Sequence, residues 1–280
     1  MPFQFFAVRV TMPHRGILRG STGLDRTFMI SCRVTLNGLP YDVADGVLCI
    51  DEVTEDTPNW QLLSHAHRSR SFKFTPKTNE PSWFVRWGYD YSWNHLRSSF
   101  FGCDEATKDW RNVGHAERCH IPVVRYRLLG VPRLIVGSLD TLVVTEYIED
   151  TRSLHDYFSD QASNRLAVEE TLIQYGELLA SIHENAIIHN NFSLENTLIK
   201  YDDATRLVTT DWYDMQVNRS DETAPFKKDL VTPVHELLSI GFSRERIQSF
   251  LDAYGKRLPW CNDHIEDIFI QAETKAKRAK

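Results

Sequence analysis

Hydrophobic and polar positions change their period near the middle of the chain. Residues 27–36 (TFMISCRVTL) are rich in β-branched and apolar side chains and run into Asn37-Gly38, a tight-turn signal. Residues 39–43 return as a second strand, with Pro40 limiting it to an edge. A short apolar run at 47–50 and the segments 71–75 (SFKFT) and 82–87 (SWFVRW) predict further strands, the last two separated by a Pro-, Lys- and Asn-containing loop at 76–81. Residues 104–118 are charged, with Ala106, Trp110 and Val113 on one helical face. An extended piece starts at Ile121-Pro122-Val123-Val124. Segments 134–136 and 141–147 (TLVVTEY) read as a hairpin around Gly137-Ser138, its second strand apolar enough to be buried.

Beyond that point helical spacing takes over. Residues 166–184 place Leu172, Tyr175, Leu179 and Ile182 three and four apart, the core stripe of an amphipathic helix. Segments 187–200 and 207–212 are shorter and mixed, and 230–240, 243–254 and 264–276 read as helices. The expected fold class is α+β, with a β-rich lobe over residues 1–146 and a helical lobe over 147–280. No internal repeat or low-complexity tract interrupts it.

Composition narrows the function. The chain has 280 residues, 42% hydrophobic and 25% charged, with a formal net charge of -6, so no basic field points to nucleic acid. Five dispersed cysteines without a CxxC pair suit a reducing, cytoplasmic setting. Cys103, His115, Cys119 and His120 fit no zinc module by spacing. No apolar run is long enough to span a bilayer, and the apolar start lacks the basic flank and cleavage site of an export signal. The basic tail from Lys275 to Lys280 reads as a solvated helix end, with at most peripheral contact to an anionic membrane surface.

The chemistry concentrates at His189-Asn190-Asn191-Phe192-Ser193-Leu194-Glu195-Asn196, directly after the long amphipathic helix. Two short strands later comes Asp211, fifteen positions beyond Asn196. An Asn amide oxygen and an Asp carboxylate brought together by a hairpin can share one divalent ion. An H-x-N-x-x-x-x-N string also arises by chance, and Asp211 alone reads equally as a cap or a surface charge. The preceding apolar helix and the buried strand upstream favour the chemical reading.

This order resembles the kinase catalytic loop H-x-D-x-x-x-x-N followed by a metal-binding Asp. More specifically, the chain resembles the lipopolysaccharide kinase family, which phosphorylates Kdo or heptose of the lipid A core on a bilobal protein-kinase-like fold. The match runs from about 69 to 255. It rests on the strand SWFVRW, on Asp109-Trp110-Arg111 followed by His120-Ile121-Pro122-Val123, on Phe226-Lys227-Lys228-Asp229-Leu230, and on Ser249-Phe250-Leu251-Asp252-Ala253-Tyr254.

The resemblance implies ATP and Mg²⁺ as cofactors and a sugar acceptor of a lipopolysaccharide core or similar glycolipid. It assigns Asn196 and Asp211 to the metal and Asn191 to the acceptor hydroxyl. Arg86, Asp109, and the backbone of Glu146 and Ile148 at a hinge fall to the nucleotide. His189 supports the loop as a satisfied structural histidine. Asp229 follows two lysines able to hold the neighbouring segment, and reads as the N-cap of the next helix. Tyr89, Tyr91 and Trp93 are the candidates for sugar contact, and the other tryptophans read as core.

Three positions depart from the family pattern. Arg86 stands where the family has Lys, Asp109 where it has Glu, and Asn191 where it has the catalytic Asp. An amide orients a hydroxyl but cannot take its proton. No glycine-rich phosphate loop precedes Ser71; Arg68 and Arg70 stand there instead. Two functions therefore remain in view, a slow sugar kinase and a catalytically inactive pseudokinase that binds a nucleotide or a partner. Aminoglycoside- and choline-type phosphotransferases share the fold, but the motifs of the second half argue against them.

Overall fold

A computed structural model of the chain describes residues 33–36, 39–42, 60–66, 69–75, 81–88, 105–130, 141–160, 165–200, 207–218 and 222–278. Its elements in chain order are β1 (Arg33–Leu36), β2 (Leu39–Asp42), β3 (Trp60–Ala66), β4 (Ser69–Phe74), β5 (Trp83–Gly88), α1 (Glu105–Arg118), β6 (Tyr126–Gly130), β7 (Thr141–Glu146) and β8 (Thr151–Ser153). Then follow α2 (Leu154–Asp160), α3 (Arg165–Glu184), β9 (Ile187–Ile188), β10 (Thr197–Lys200), β11 (Leu207–Thr209) and β12 (Gln216–Val217). The chain closes with α4 (Ala224–Ser239), α5 (Arg244–Arg257), a 3-10 turn (Pro259–His264) and α6 (Ile265–Arg278).

These elements divide into two compact units, Met1–Phe101 with Tyr126–Tyr147, and Gly102–Arg125 with Ile148–Lys280. A single break at residue 146 would group α1 with the strands. Residues 102–125, α1 among them, fall in the second unit instead.

In the first unit β1 and β2 pair antiparallel with Leu36 opposite Leu39, the two-residue connection expected of Asn37-Gly38. A separate antiparallel sheet has the order β3-β4-β5-β7-β6. Strand β7 is internal, which explains its continuous apolar character. Phe72, Val85 and Val144 lie opposite one another on β4, β5 and β7 and are fully or nearly fully buried. Strands β3 and β6 were not legible in the pattern, and the expected segments at 47–50 and 134–136 lie outside the described residues.

The second unit is mainly helical, and the whole chain mixes helix and strand. Leu172, Tyr175, Leu179 and Ile182 of α3 are essentially inaccessible, as their spacing required. Helix α3 crosses α5 at Gly176, where a Cβ would run into the carbonyl oxygen of Phe250. Only the missing side chain lets the two backbones come this close. Tyr175 stacks on Phe192 at 4.8 Å and leans on Phe250, tying the α3–α5 pair to the loop that follows β9.

Helix α4 begins at Ala224, earlier than the apolar stripe suggested, because Pro225 supplies the first-turn signal. Asp229 is therefore not an N-cap but lies inside the helix, 2% exposed. Cys119 and Cys261 are free thiols. Cys119 Sγ sits 4.0 Å from His115 Nε2, yet no group of three or more His, Cys, Asp or Glu able to hold a metal occurs among the described residues. Nor is any helix among them long and apolar enough to cross a membrane.

Candidate functional site

The hairpin of β10 and β11 builds the site. Thr197 pairs with Thr209, so Asn196 and Thr210 flank the open end, and the Thr210 amide donates to the Asn196 carbonyl at 2.9 Å. One residue further, Asp211 turns back toward Asn196. The Asn196 Nδ2 donates to Asp211 Oδ2 at 3.3 Å and to the Asn191 carbonyl at 3.0 Å. Asn191 Nδ2 donates to the same Asp211 oxygen at 2.5 Å. The three residues named from the sequence thus meet at one carboxylate.

Both flanks of this cluster use left-handed backbone. Asn190 has φ 63° and Asp211 φ 64°. Asn and Asp tolerate that region better than other residues with a Cβ. It aims consecutive side chains in different directions. Asn190 Nδ2 turns to the Asp214 carbonyl at 2.9 Å while Asn191 turns to Asp211.

The loop from His189 to Thr197 is pinned by side chains from distant helices. Asp229 of α4 accepts the His189 amide at 2.6 Å on one oxygen and the Asn190 amide at 2.8 Å on the other. His183 Nε2 lies 3.3 Å from Asp229, and its Nδ1 lies 2.7 Å from the Tyr254 hydroxyl. Neutral His183 with its proton on Nε2 satisfies both contacts, donating to Asp229 and accepting from Tyr254. Burial pushes its pKa down in support of that form. Glu236, also on α4, accepts the Leu194 amide at 2.7 Å, and burial raises its carboxyl pKa. Ser193 Oγ caps the turn by accepting the Asn196 amide at 3.1 Å.

His189 differs from its expected form. It is 0% exposed, with its ring 4.3 Å from that of Trp212 and 5.8 Å from that of Phe192. Neither ring nitrogen has a hydrogen-bond partner among the described residues. Burial pushes its pKa down to about 4, so it packs as a neutral aromatic.

Helix α1 reaches the other side of Asp211. Asp109 Oδ1 accepts the Trp212 amide at 2.6 Å, and Asn112 Nδ2 donates to the Trp212 carbonyl at 2.7 Å. Trp212 itself is fully buried. The residues expected to face a nucleotide belong to different units: Arg86 and Glu146 to the first, Asp109 and Ile148 to the second. Arg86 sits on β5 opposite Ser71 and Val143 with an exposed side chain. Glu146 pairs with Arg127 at 3.1 Å, and the Ile148 carbonyl accepts the Thr151 hydroxyl at 2.9 Å. Lys227 pairs with Asp267 of α6. Arg68, Tyr89, Tyr91 and Trp93 lie outside the described residues.

The donor set can be tested against a cation. The Asn196 nitrogen is committed to Asn191 and Asp211, so its amide oxygen is what it can offer. One carboxylate and one amide oxygen make a hard, all-oxygen pair. Mg²⁺ accepts such a set when phosphates and water complete its shell, and so few ligands would not cage it alone.

Comparison with known proteins gives the family and the fold. A model of the lipopolysaccharide kinase (Kdo/WaaP) family matches residues 84–254. A solved structure of WaaP in complex with acyl carrier protein superposes with a TM-score of 0.56 at 16% identity, covering 78% of this chain and 87% of that one, which speaks for a shared fold. No curated protein matches the chain.

Proposed function

This chain belongs to the lipopolysaccharide kinase (Kdo/WaaP) family, and we propose that it is a Mg-ATP-dependent phosphotransferase, slow in turnover, acting on a sugar hydroxyl of a lipopolysaccharide core or similar glycolipid. In this reading the two units are the lobes of a protein-kinase-like fold. The observation that carries it is the meeting of Asn191, Asn196 and Asp211 at one carboxylate, with Asp211 Oδ2 within 3.3 Å of Asn196 Nδ2.

Asn196 and Asp211 would hold Mg²⁺, whose charge offsets that developing on the phosphates. Arg86 would meet phosphate oxygens, as a forked donor rather than a point charge. The backbone of Glu146 and Ile148 would receive the adenine. Asn191 would orient the acceptor hydroxyl. A cytoplasmic protein meeting a lipid-linked acceptor would work peripherally at the inner membrane.

The missing carboxylate at 191 sets the rate. General-base assistance is worth about 10²–10⁴-fold, or about 3–5 kcal/mol in the barrier. Phosphoryl transfer depends mainly on positioning and charge stabilisation, so slow transfer survives that loss. A second reading, a nucleotide-binding pseudokinase, is favoured by one observation: the Asn191 amide donates to Asp211, so no side chain at that place can take a proton.

Incubation of the purified chain with radiolabelled ATP, Mg²⁺ and core oligosaccharide acceptors separates the two. Transfer that disappears in Asp211→Ala supports the kinase. Transfer that persists in Asp211→Ala overturns the site. Mg-dependent nucleotide binding without transfer supports the pseudokinase.

A further inference from the structure

Asp109 and Asn112 stand three residues apart on one face of α1, and both reach the same residue, Trp212. The Trp212 amide donates to Asp109 Oδ1 at 2.6 Å, and the Trp212 carbonyl accepts from Asn112 Nδ2 at 2.7 Å. Asn112 also lies 3.4 Å from the Tyr213 carbonyl. The segment just beyond α1 holds the other side of Asp211. Thr209 donates its amide to the Pro122 carbonyl at 3.0 Å, and Val124 donates to the Thr209 carbonyl at 3.1 Å. The Thr209 hydroxyl adds a bond to Pro122 at 2.9 Å. Residues 109–124 therefore grip residues 209 and 212, and Asp211 sits between the two grips in left-handed backbone, φ 64°.

We propose that α1 is a clamp on the Asp211 segment, in which Asp109 acts as the acceptor for the Trp212 amide and Asn112 as the donor to its carbonyl. Asp109 and Asn112 are positioning residues. The clamp fixes the peptide after Asp211 and with it the direction of the Asp211 carboxylate. The role is distinct from the nucleotide contact that family resemblance implies for Asp109. Its consequence for Mg-ATP rests on the proposed function; the clamp itself does not.

The chemistry gives a discriminating series. Asn in place of Asp109 keeps an acceptor oxygen and loses the charge; Ala loses both. One backbone hydrogen bond of this kind is worth about tenfold in a local opening equilibrium. The readout is hydrogen exchange at the Trp212 amide, resolved by NMR with ¹⁵N-tryptophan labelling, against the amide of Trp110 on α1 as an internal control. Asp109→Asn should change Trp212 exchange by no more than about threefold, and Asp109→Ala should accelerate it about tenfold or more.

Asn112→Ala is the second variant, should Asp109→Ala fail to fold, and it should accelerate the same amide without removing its acceptor. Unchanged Trp212 exchange in both Ala variants would overturn the clamp. So would an Asp109→Asn as damaging as Asp109→Ala, the result expected if only the charge of Asp109 mattered. In the same samples, apparent Mg-ATP affinity should fall in Asp109→Ala and be rescued in Asp109→Asn. A wild-type protein with no Mg-dependent nucleotide binding would refute the proposed function, and the amide exchange would still decide the clamp.

Discussion

Asp211 Oδ2 takes hydrogens from two amides, those of Asn191 and Asn196. These neutral donors stabilise the carboxylate without a cation, where a second carboxylate at 191 would repel it. Asn191→Asp should therefore lose about 2–4 kcal/mol of stability in EDTA, by Coulomb repulsion at close range, and recover much of it in Mg²⁺. Melting temperatures in the two buffers measure this, and equal Mg²⁺ shifts in variant and wild type would speak against the geometry. His189 gives a pH prediction. Its folded pKa, about 4, lies below the unfolded value of 6.5. The unfolded chain takes up the proton first, so stability is fully present above pH 6.5 and declines as pH falls to about 4, by about 3 kcal/mol. Denaturant titrations at stepped pH should show that slope, and His189→Phe, which keeps a ring against Trp212, should flatten it.

Elements meet the site through a few contacts, and each has its own test. Asp229→Ala strands two backbone amides, those of His189 and Asn190, beneath α4. Unpaired buried donors cost about 1–3 kcal/mol each, so the loss should reach about 3 kcal/mol or more by chemical denaturation. Tyr254→Phe removes only the outer bond to His183 and should cost about 1 kcal/mol. Gly176→Ala drives a methyl into the Phe250 carbonyl and must move α3 from α5. Overpacking of this kind costs about 1–3 kcal/mol, which differential scanning calorimetry would register; an unchanged melting point would contradict the close crossing. The hairpin of β10 and β11 was legible because its information is local: Asn196 and Asp211 stand fifteen residues apart across two short strands. Asp229 bonds His189 across forty residues, and Asp109 reaches Trp212 across more than one hundred. No periodicity reports such pairings, so Asp229 looked like a helix cap and nothing singled out Asn112.

For the molecule as a whole, the mixture of helix and strand was legible from the hydrophobic pattern and the family from motifs spread over 69–255, and the family model covers 84–254. Among what the pattern missed were β3 and β6, strands whose sequences WQLLSHA and YRLLG lack a strong β-branched signal. The grouping of α1 with the second unit was equally hidden, since the contacts that accompany it, such as the Asp109 bond to Trp212 and the bridge between Val123 and Thr209, join residues far apart in the chain. Nucleotide binding is the property that the proposed function requires of these parts. A ligand that binds only the folded state at about 100-fold its dissociation constant adds about 2.7 kcal/mol of stability, so millimolar ATP with Mg²⁺ should raise the melting point and ATP with EDTA should not. The most direct measurement is a crystal structure with ATP and Mn²⁺ in place of Mg²⁺, read by the anomalous signal of the manganese. The account predicts a peak within coordination distance of both the Asn196 amide oxygen and the Asp211 carboxylate. A nucleotide bound with its metal anywhere else would contradict it.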